Sequence, residues 1–340
     1  MKKNAKIIAA AAVVLLLLSA LIFDAKNMTG AIVRSIETCL YTIIPALFGF
    51  MVISSYLLRS GLYRILFKPL YLILRCVIRL NEEEFGIFLL SLFGGYPVGA
   101  KLAAENKLTR NILPYCYCPS PGFVISTAGF GLFSNSRAGL AVYLSNVLAC
   151  VILSVLLNIR RKDITDEKSR PPLQLNAFTP AVMSAGSALF PVCAVIVAFG
   201  VIKGTLQFIG IESTIIFAVL EISSISQFVP NPVFLPFIAA LFSTGGLCIL
   251  MQIPAILGPG AKAKNKIPLR GFFWWRIPAA LLSAAICRLL MPFIDFTAYI
   301  PVSTAETAVI STQAGSPIAS AALLIMAVIL VRTAGESASA

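Results

Sequence analysis

Residues 91–102 read SLFGGYPVGAKL, with Gly94, Gly95, Pro97 and Gly99 set in the middle of an apolar segment. Glycine loosens a helix and proline removes one of its N–H donors. In lipid, each unpaired backbone group costs several kcal/mol, so broken backbone survives only when buried in protein or lining a wet cavity. Whether this segment crosses the bilayer or turns back therefore decides the fold.

The rest of the chain is that of a polytopic membrane protein. Of 340 residues, 59% are hydrophobic and 12% charged, and the mean hydropathy is +0.92. That balance is foreign to water-soluble domains. The net charge of +13 would suggest nucleic acid in a soluble protein. Here the Lys and Arg residues lie between apolar runs, so the positive-inside rule explains them and no nucleic-acid partner is expected.

The chain has no histidine, and its few acids at membrane depth are isolated. This removes Ser-His and Cys-His nucleophile pairs, HExxH zinc sites and histidine proton relays together. The eight cysteines fall mostly singly within apolar runs, where they read as small buried hydrophobes rather than a disulfide framework or a metal site. An enzyme, a cofactor and a metal are not expected. An intramembrane enzyme would need Glu221 and Asp295 side by side in a cavity.

Spanning helices need roughly 20 apolar residues. Clear candidates are 7–23, 36–58, 138–159, 180–202, 271–294 and 312–332, while 85–104, 111–133 and 214–257 are interrupted. The first follows MKKNAK and resembles a signal peptide, but small residues do not occupy both cleavage-determining positions, so it reads as an uncleaved span. Basic clusters occur at Lys2, Lys3 and Lys6, at Arg59–Arg79, at Arg160–Arg170 and at Lys262–Arg270. They place these segments, and both termini, on the cytoplasmic side.

Residues 84 and 160 then share a side, yet three apolar segments separate them. One of the three cannot cross. The best candidate is 85–110, because Lys101, Lys107 and Arg110 keep its far end with the inside charges and GGYPVG lies at its centre. It is expected to enter from the cytoplasm, turn near the midplane and return. In the second half the same reasoning makes 233–257 a crossing and 214–230 a hairpin entering from outside. Each half then has a span with a central proline (Pro45, Pro191), a hairpin, and a span opening with Leu-Pro (Leu113-Pro114, Leu235-Pro236), in opposite orientations. Inverted repeats with facing broken helices are a recurrent transporter architecture.

Between the first span and its hairpin, GLYRILFKPLYLILRCVIRL (61–80) puts Arg64, Lys68, Arg75 and Arg79 within about 60° of one helical face. This fits a helix lying on the inner leaflet better than a span.

The breaks carry the candidate chemistry. Pro97 suits the start of a second half-helix, leaving the N–H groups of Val98 and Gly99 free at the positive end of a helix dipole, where an anion is favoured. Ser120-Pro121, inside CYCPSPGF, repeats the device with serine as the cap. The glycines also suit close helix packing, since Gly95 and Gly99 have small-xxx-small spacing. Glu221, in FAVLEISSISQF, is an acid in an apolar segment with Ser223 and Ser224 nearby. It faces either a cavity or water above a shallow hairpin. Gln252 can donate and accept on the following span.

The residues so assembled resemble sporulation integral membrane proteins of the YlbJ type (stage V sporulation protein V), which carry nucleoside-recognition Gate domains. The likeness covers most of 36–260. Its most specific part is Gly95, Tyr96, Pro97, Gly99 and Ala100, matching a Gly-(Phe/Tyr)-Pro-x-Gly-Ala signature. Ser120, Pro121 and Phe123 follow, then Gly129, Gly131 and Phe133. In the second half Glu221-Ile222-Ser223 resembles a Glu-Ile-Thr element, and Gly246-Leu247 with Gln252 a Gly-Leu-Ser element followed by Gln. The chain departs from the pattern at Cys116-Tyr117-Cys118-Pro119, where Asn-Asn-Ser is expected, and no Gly follows Ser223.

The resemblance implies a fold related to the core of concentrative nucleoside transporters, and movement of dipicolinic acid across the outer forespore membrane. The resulting expectation is an all-α polytopic protein of about eight transmembrane helices plus two re-entrant hairpins in an inverted repeat. It comprises an anchor helix (1–35), a first repeat (36–160), a linker (161–179), a second repeat (180–260) and C-terminal helices (261–340). The candidate substrate-binding set is Gly94, Gly95, Tyr96, Pro97, Val98, Gly99, Lys101, Ser120, Pro121, Glu221, Ser223, Ser224 and Gln252. Its partners are a small anion such as dipicolinate, or a nucleoside, and the bilayer of a cytoplasmic membrane; a homo-oligomer is compatible. A nucleoside transporter and a non-transporting scaffold for spore maturation stand as alternatives.

Overall fold

A computed structural model describes residues 2–106, 112–161, 173–264 and 269–294. The chain divides into two units, Met1–Ile300 and Pro301–Ala340, and the description concerns the first. The expected span 312–332, the cations Lys107, Arg110, Lys162, Lys168, Arg170 and Lys266, and Asp295 lie outside the described residues.

Every regular element among the described residues is helical. In chain order these are α1 (Lys2–Phe23), α2 (Ala25–Thr38), α3 (Ile44–Ser60), α4 (Tyr63–Ile78), α5 (Glu82–Gly94), α6 (Tyr96–Glu105) and α7 (Pro121–Val124). They continue as α8 (Ser136–Asn158), α9 (Phe178–Phe208), α10 (Thr214–Leu220), α11 (Leu235–Thr244), α12 (Gly246–Lys264) and α13 (Leu269–Leu290). Five stretches are long and apolar enough to cross a membrane: Ala25–Ser60, Ser136–Asn158, Leu175–Phe208, Pro232–Leu257 and Leu269–Phe293. The chain is a helical membrane protein. Residues 7–23 are helical throughout, within α1, and α2 follows after a single-residue break at Asp24. One expected span takes another form, since between 112 and 133 helix begins only at Pro121.

The frame is a long antiparallel pair, α2–α3 against α9. Met28 lies against Gly204, Ser35 against Gly200, the Cys39 thiol against the Cys193 carbonyl, and Tyr56 edge-on to Phe178. The glycines let the backbones approach, as small residues do in membrane interfaces. A side chain at Gly200 would collide with Ser35 Oγ, and at Gly204 it would press on Met28 Sδ at 2.9 Å. Pro45 withholds an N–H near the middle of the pair, and the turn before it, Cys39–Ile43, widens to π geometry.

One end of the first unit gathers the connections that follow α3, α4 and α8. There Gln174 N–H donates to the Ser60 carbonyl at 3.1 Å, and Arg161 reaches both the Arg79 carbonyl and the Glu84 carboxylate. Helix α4 lies at this end against α5 and α8. It buries Tyr63, Tyr71 and Ile78 and exposes Ile65, Leu66 and Ile73. At 16 residues it is about 24 Å long, too short to span.

Helices α5 and α6 form a hairpin based at the same end. Asn81 opens it with a capping box: its side chain accepts from Glu84 N–H at 2.7 Å, and its own N–H donates back to Glu84 Oε2 at 3.1 Å. The chain returns at Glu105, whose carboxylate bonds Ser55 Oγ at 2.9 Å. Helices α10 and the 3-10 turn Ile222–Gln227, broken at Glu221, form the corresponding element of the second half.

Candidate functional site

The first hairpin turns at Gly95, whose φ of 86° and ψ of 173° are essentially glycine-only geometry. Tyr96 is the first residue of α6 and Pro97 the second. Here one expectation is corrected. The Val98 N–H is not free but donates to the Gly95 carbonyl at 3.1 Å, because the strained entry at Gly95 points that carbonyl back into the first turn. Gly94 and Gly99 are explained by packing. A side chain on Gly94 would strike Phe50 and Val98, and one on Gly99 would strike the Cys116 carbonyl.

Gly95 rests on Ser120, with 3.4 Å from its would-be Cβ to Ser120 Cβ. Ser120 stands at the N-cap position of α7 next to Pro121, yet its hydroxyl makes no capping hydrogen bond. The expected cap is thus present in position only, since α7 passes within one turn into the π segment Ile125–Leu132. The second half repeats the contact. Gly246 packs on the backbone of Val219, Leu220 and Ile222, at 3.1–3.4 Å from its would-be Cβ. In both halves, Gly95 to Ser120 and Glu221 to Gly246, the hairpin break sits on a second break 25 residues downstream. The halves also cross: α6 packs on α12, and the Ile222–Gln227 turn packs on the Ile125–Leu132 segment.

The break at Gly245 and Gly246, both left-handed with φ of 76° and 72°, interrupts what reads in the sequence as one crossing. Two tyrosines satisfy its loose carbonyls. Tyr96 Oη donates to the Phe242 carbonyl at 2.5 Å and Tyr117 Oη to the Thr244 carbonyl at 2.8 Å, with the rings 4.7 Å apart. Side chains from the first broken half therefore cap α11 of the second.

Leu113-Pro114 does not open a helix as Leu235-Pro236 does. Residues 112–120 are unwound, because Pro114, Pro119 and Pro121 deny the ladder its donors. Arg276 of α13 satisfies this buried loop. Its guanidinium donates to the Pro114 carbonyl, approaches the Tyr117 carbonyl at 3.5 Å, and lies 4.7 Å and 5.1 Å from the Tyr117 and Phe272 ring centroids. Sequence reading missed Arg276. Its signal was a cation inside the apolar run 271–294.

Lys101 also stands differently from expectation. It is 2% exposed, pairs with Glu105 at 2.8 Å and donates to Ser55 Oγ. Glu105 further accepts from Ser184 Oγ of α9 and has Arg59 at 3.6 Å. The Lys101 charge is neutralised in this network rather than offered to an anion at the hairpin tip. An acid four residues along the same helix was the available signal.

Glu221, Ser223 and Ser224 are brought together, in a polar cleft of about 430 Å³ between α2, α9 and the second hairpin. Arg34, Lys203 and Gln207 line the same cleft and were not anticipated. Ser223 Oγ donates to Glu221 Oε1 at 2.7 Å, and Lys203 Nζ donates to Ser224 Oγ at 3.1 Å. Gln252 is not in this group. It is buried on α12, with Nε2 3.7 Å from Cys248 Sγ one turn back.

Among the described residues, no three His, Cys, Asp or Glu side chains come together in a way that could hold a metal ion. Comparisons with family models, curated proteins and solved structures find no match to the chain, so the functional reading rests on its own geometry.

Proposed function

We propose that the chain is a membrane transporter for a small carboxylated aromatic anion, with dipicolinate the first substrate to test. In this reading about eight spans and two re-entrant hairpins form an inverted repeat of the Gate type, working in a cytoplasmic membrane such as the outer forespore membrane. Both termini face the cytoplasm. No chemical conversion of the substrate is involved.

The observation that carries the reading is the pairing of breaks: in each half a hairpin tip rests on a second interruption of the chain at the same spacing, and the two halves cross there. Broken helices facing one another near the midplane are how secondary transporters build substrate sites, because irregular backbone in a membrane needs a protein-lined or wet environment. A packing scaffold accounts for Gly94 and Gly99. It leaves unexplained the glycine-only tip at Gly95, seated on the second break at Ser120.

The test is uptake of labelled dipicolinate by vesicles containing the purified full-length protein, with empty vesicles as reference. Flux above reference, lowered by Gly95→Ala in normally inserted protein, is the expected result. Absence of flux in either orientation refutes the dipicolinate reading. Flux of nucleosides instead, or their displacement of dipicolinate, replaces it with a nucleoside transporter.

A further inference from the structure

The polar cleft contains charges that do not satisfy one another. Lys203 projects from α9, gives one hydrogen bond to Ser224 Oγ at 3.1 Å, and lies 5.1 Å from the Phe217 ring centroid. Among the described residues no carboxylate comes within ion-pair distance of it. A lysine ammonium has three donors, so two remain for the cleft. Glu221 faces the same space from the hairpin break, where one oxygen accepts from Ser223 at 2.7 Å and, among the described residues, no cation pairs with the group. Arg34 adds a second cation from α2, exposed on the cleft wall.

Cations and an acid in an apolar segment normally pair, because an isolated charge there is expensive. Here Lys203, Arg34 and Glu221 line one cavity and, among the described residues, form no ion pair. Its volume of about 430 Å³ lies within the roughly 300–1,000 Å³ of small-molecule sites. We infer that this cleft binds a small carboxylate, with Lys203 and Arg34 as its receptors and Glu221 as a filter against a second negative charge. Two cations against one acid leave room for a single negative charge. A monocarboxylate satisfies the site as it is. A dicarboxylate satisfies it with one carboxyl protonated, that hydrogen donated to the open oxygen of Glu221. Gln207 and Ser224 supply neutral polar surface around the ligand.

This site lies beside the crossing of the breaks, and occupying it requires no flux. Its failure is therefore distinguishable from failure of the transport reading: vesicle uptake without carboxylate binding in the cleft keeps transport and removes this site, and binding without uptake keeps the site and removes transport. The phosphate of an anionic lipid presents the same kind of oxygen, so the experiment has to separate the two sources.

The test is binding of labelled benzoate, and of its dicarboxylate counterpart isophthalate, to the full chain in phosphatidylcholine nanodiscs at neutral pH. Benzoate is expected to bind about tenfold more tightly than isophthalate. Lys203→Met should weaken benzoate about tenfold, and Lys203→Arg should keep it within about threefold, which separates lost charge from lost folding. Glu221→Gln should bring isophthalate up to benzoate. Equal binding of the two ligands in the parent, or Lys203→Met within about twofold of it, overturns the inference. Loss of benzoate binding when phosphatidylglycerol is added to the discs overturns it in favour of a lipid headgroup site.

Discussion

Glu105→Gln tests whether the first hairpin is fastened electrostatically at its base. The substitution keeps size and removes the charge facing Lys101 at 2.8 Å. Two unit charges at that distance attract by about 6 kcal/mol at an effective dielectric of 20, and desolvation of both ions cancels most of this. The native pair is therefore worth little net. Removing one member differs, because Lys101 is 2% exposed and stays behind as a buried charge. Such orphaning costs about 3–5 kcal/mol. Neutralising an amine of ordinary pKa, about 10.4, at pH 7 takes about 4.6 kcal/mol, which sets a ceiling. The expected loss is thus about 3–4 kcal/mol in unfolding of the purified protein in a fixed lipid or detergent environment. The double variant Lys101→Met with Glu105→Gln should recover most of it, since no buried charge then lacks a partner. A single variant within about 1 kcal/mol of the parent, or a double variant no better than the single, refutes the reasoning.

Gly95→Ala meets only ordinary contacts at Ser120, so its effect is conformational; forcing alanine into φ 86° should cost about 1–3 kcal/mol, read as a lower melting temperature. Tyr117→Phe leaves the Thr244 carbonyl without its donor and should cost about 1–3 kcal/mol, as should Tyr96→Phe at Phe242. With rings 4.7 Å apart, the two changes should be non-additive in a double-mutant cycle, and strict additivity would argue against a shared cap. Arg276→Met removes the guanidinium from the unwound loop and should make Cys116 and Cys118, now 1% and 0% exposed, reactive toward a membrane-permeant thiol reagent. Arg276→Lys should not protect them, because a point ammonium cannot span two carbonyls as the planar fork does.

What could be read from the sequence was what charge and proline control. By the positive-inside rule, basic residues at 59–79 and 160–170 predict that one apolar segment turns back, and GGYPVG marks the expected place. The helix–break–helix at Glu82–Glu105 follows from those two facts. The second break was visible as Gly245-Gly246 but not interpretable, because glycine is common in membrane helices and the hydrophobic run continues through it. Its left-handed geometry depends on Tyr96 and Tyr117, which arrive from more than 120 residues away. Lys101 shows the opposite difficulty. The sequence displays its charge but not its environment, and an acid on the next turn plus Ser55 and Ser184 turns an apparent anion receptor into part of a closed network. Arg34 lay in a segment too polar to count as a span, although it continues the helix of the one that follows.

The fastening points set the depth of the hairpin tips. The second arm of the first hairpin is tied to α9 at Ser184, through Glu105, and the second arm of the other hairpin at Lys203, through Ser224. Nineteen residues of α9, Pro191 among them, separate Ser184 from Lys203, about 28 Å at 1.5 Å per residue, comparable to the roughly 30 Å of bilayer hydrocarbon. That separation is what the proposed hairpins, entering from opposite sides, would require. From Glu105 back to Tyr96 is nine residues of helix, about 14 Å, half of that separation. Gly95 then falls midway, and it is there that Tyr96 meets the carbonyls ahead of Gly245. In the proposed topology the glycines and proline of SLFGGYPVGAKL lie midway between the two faces, where water is scarcest. There the first half completes the second, as Tyr96 and Tyr117 donate to the carbonyls of Phe242 and Thr244.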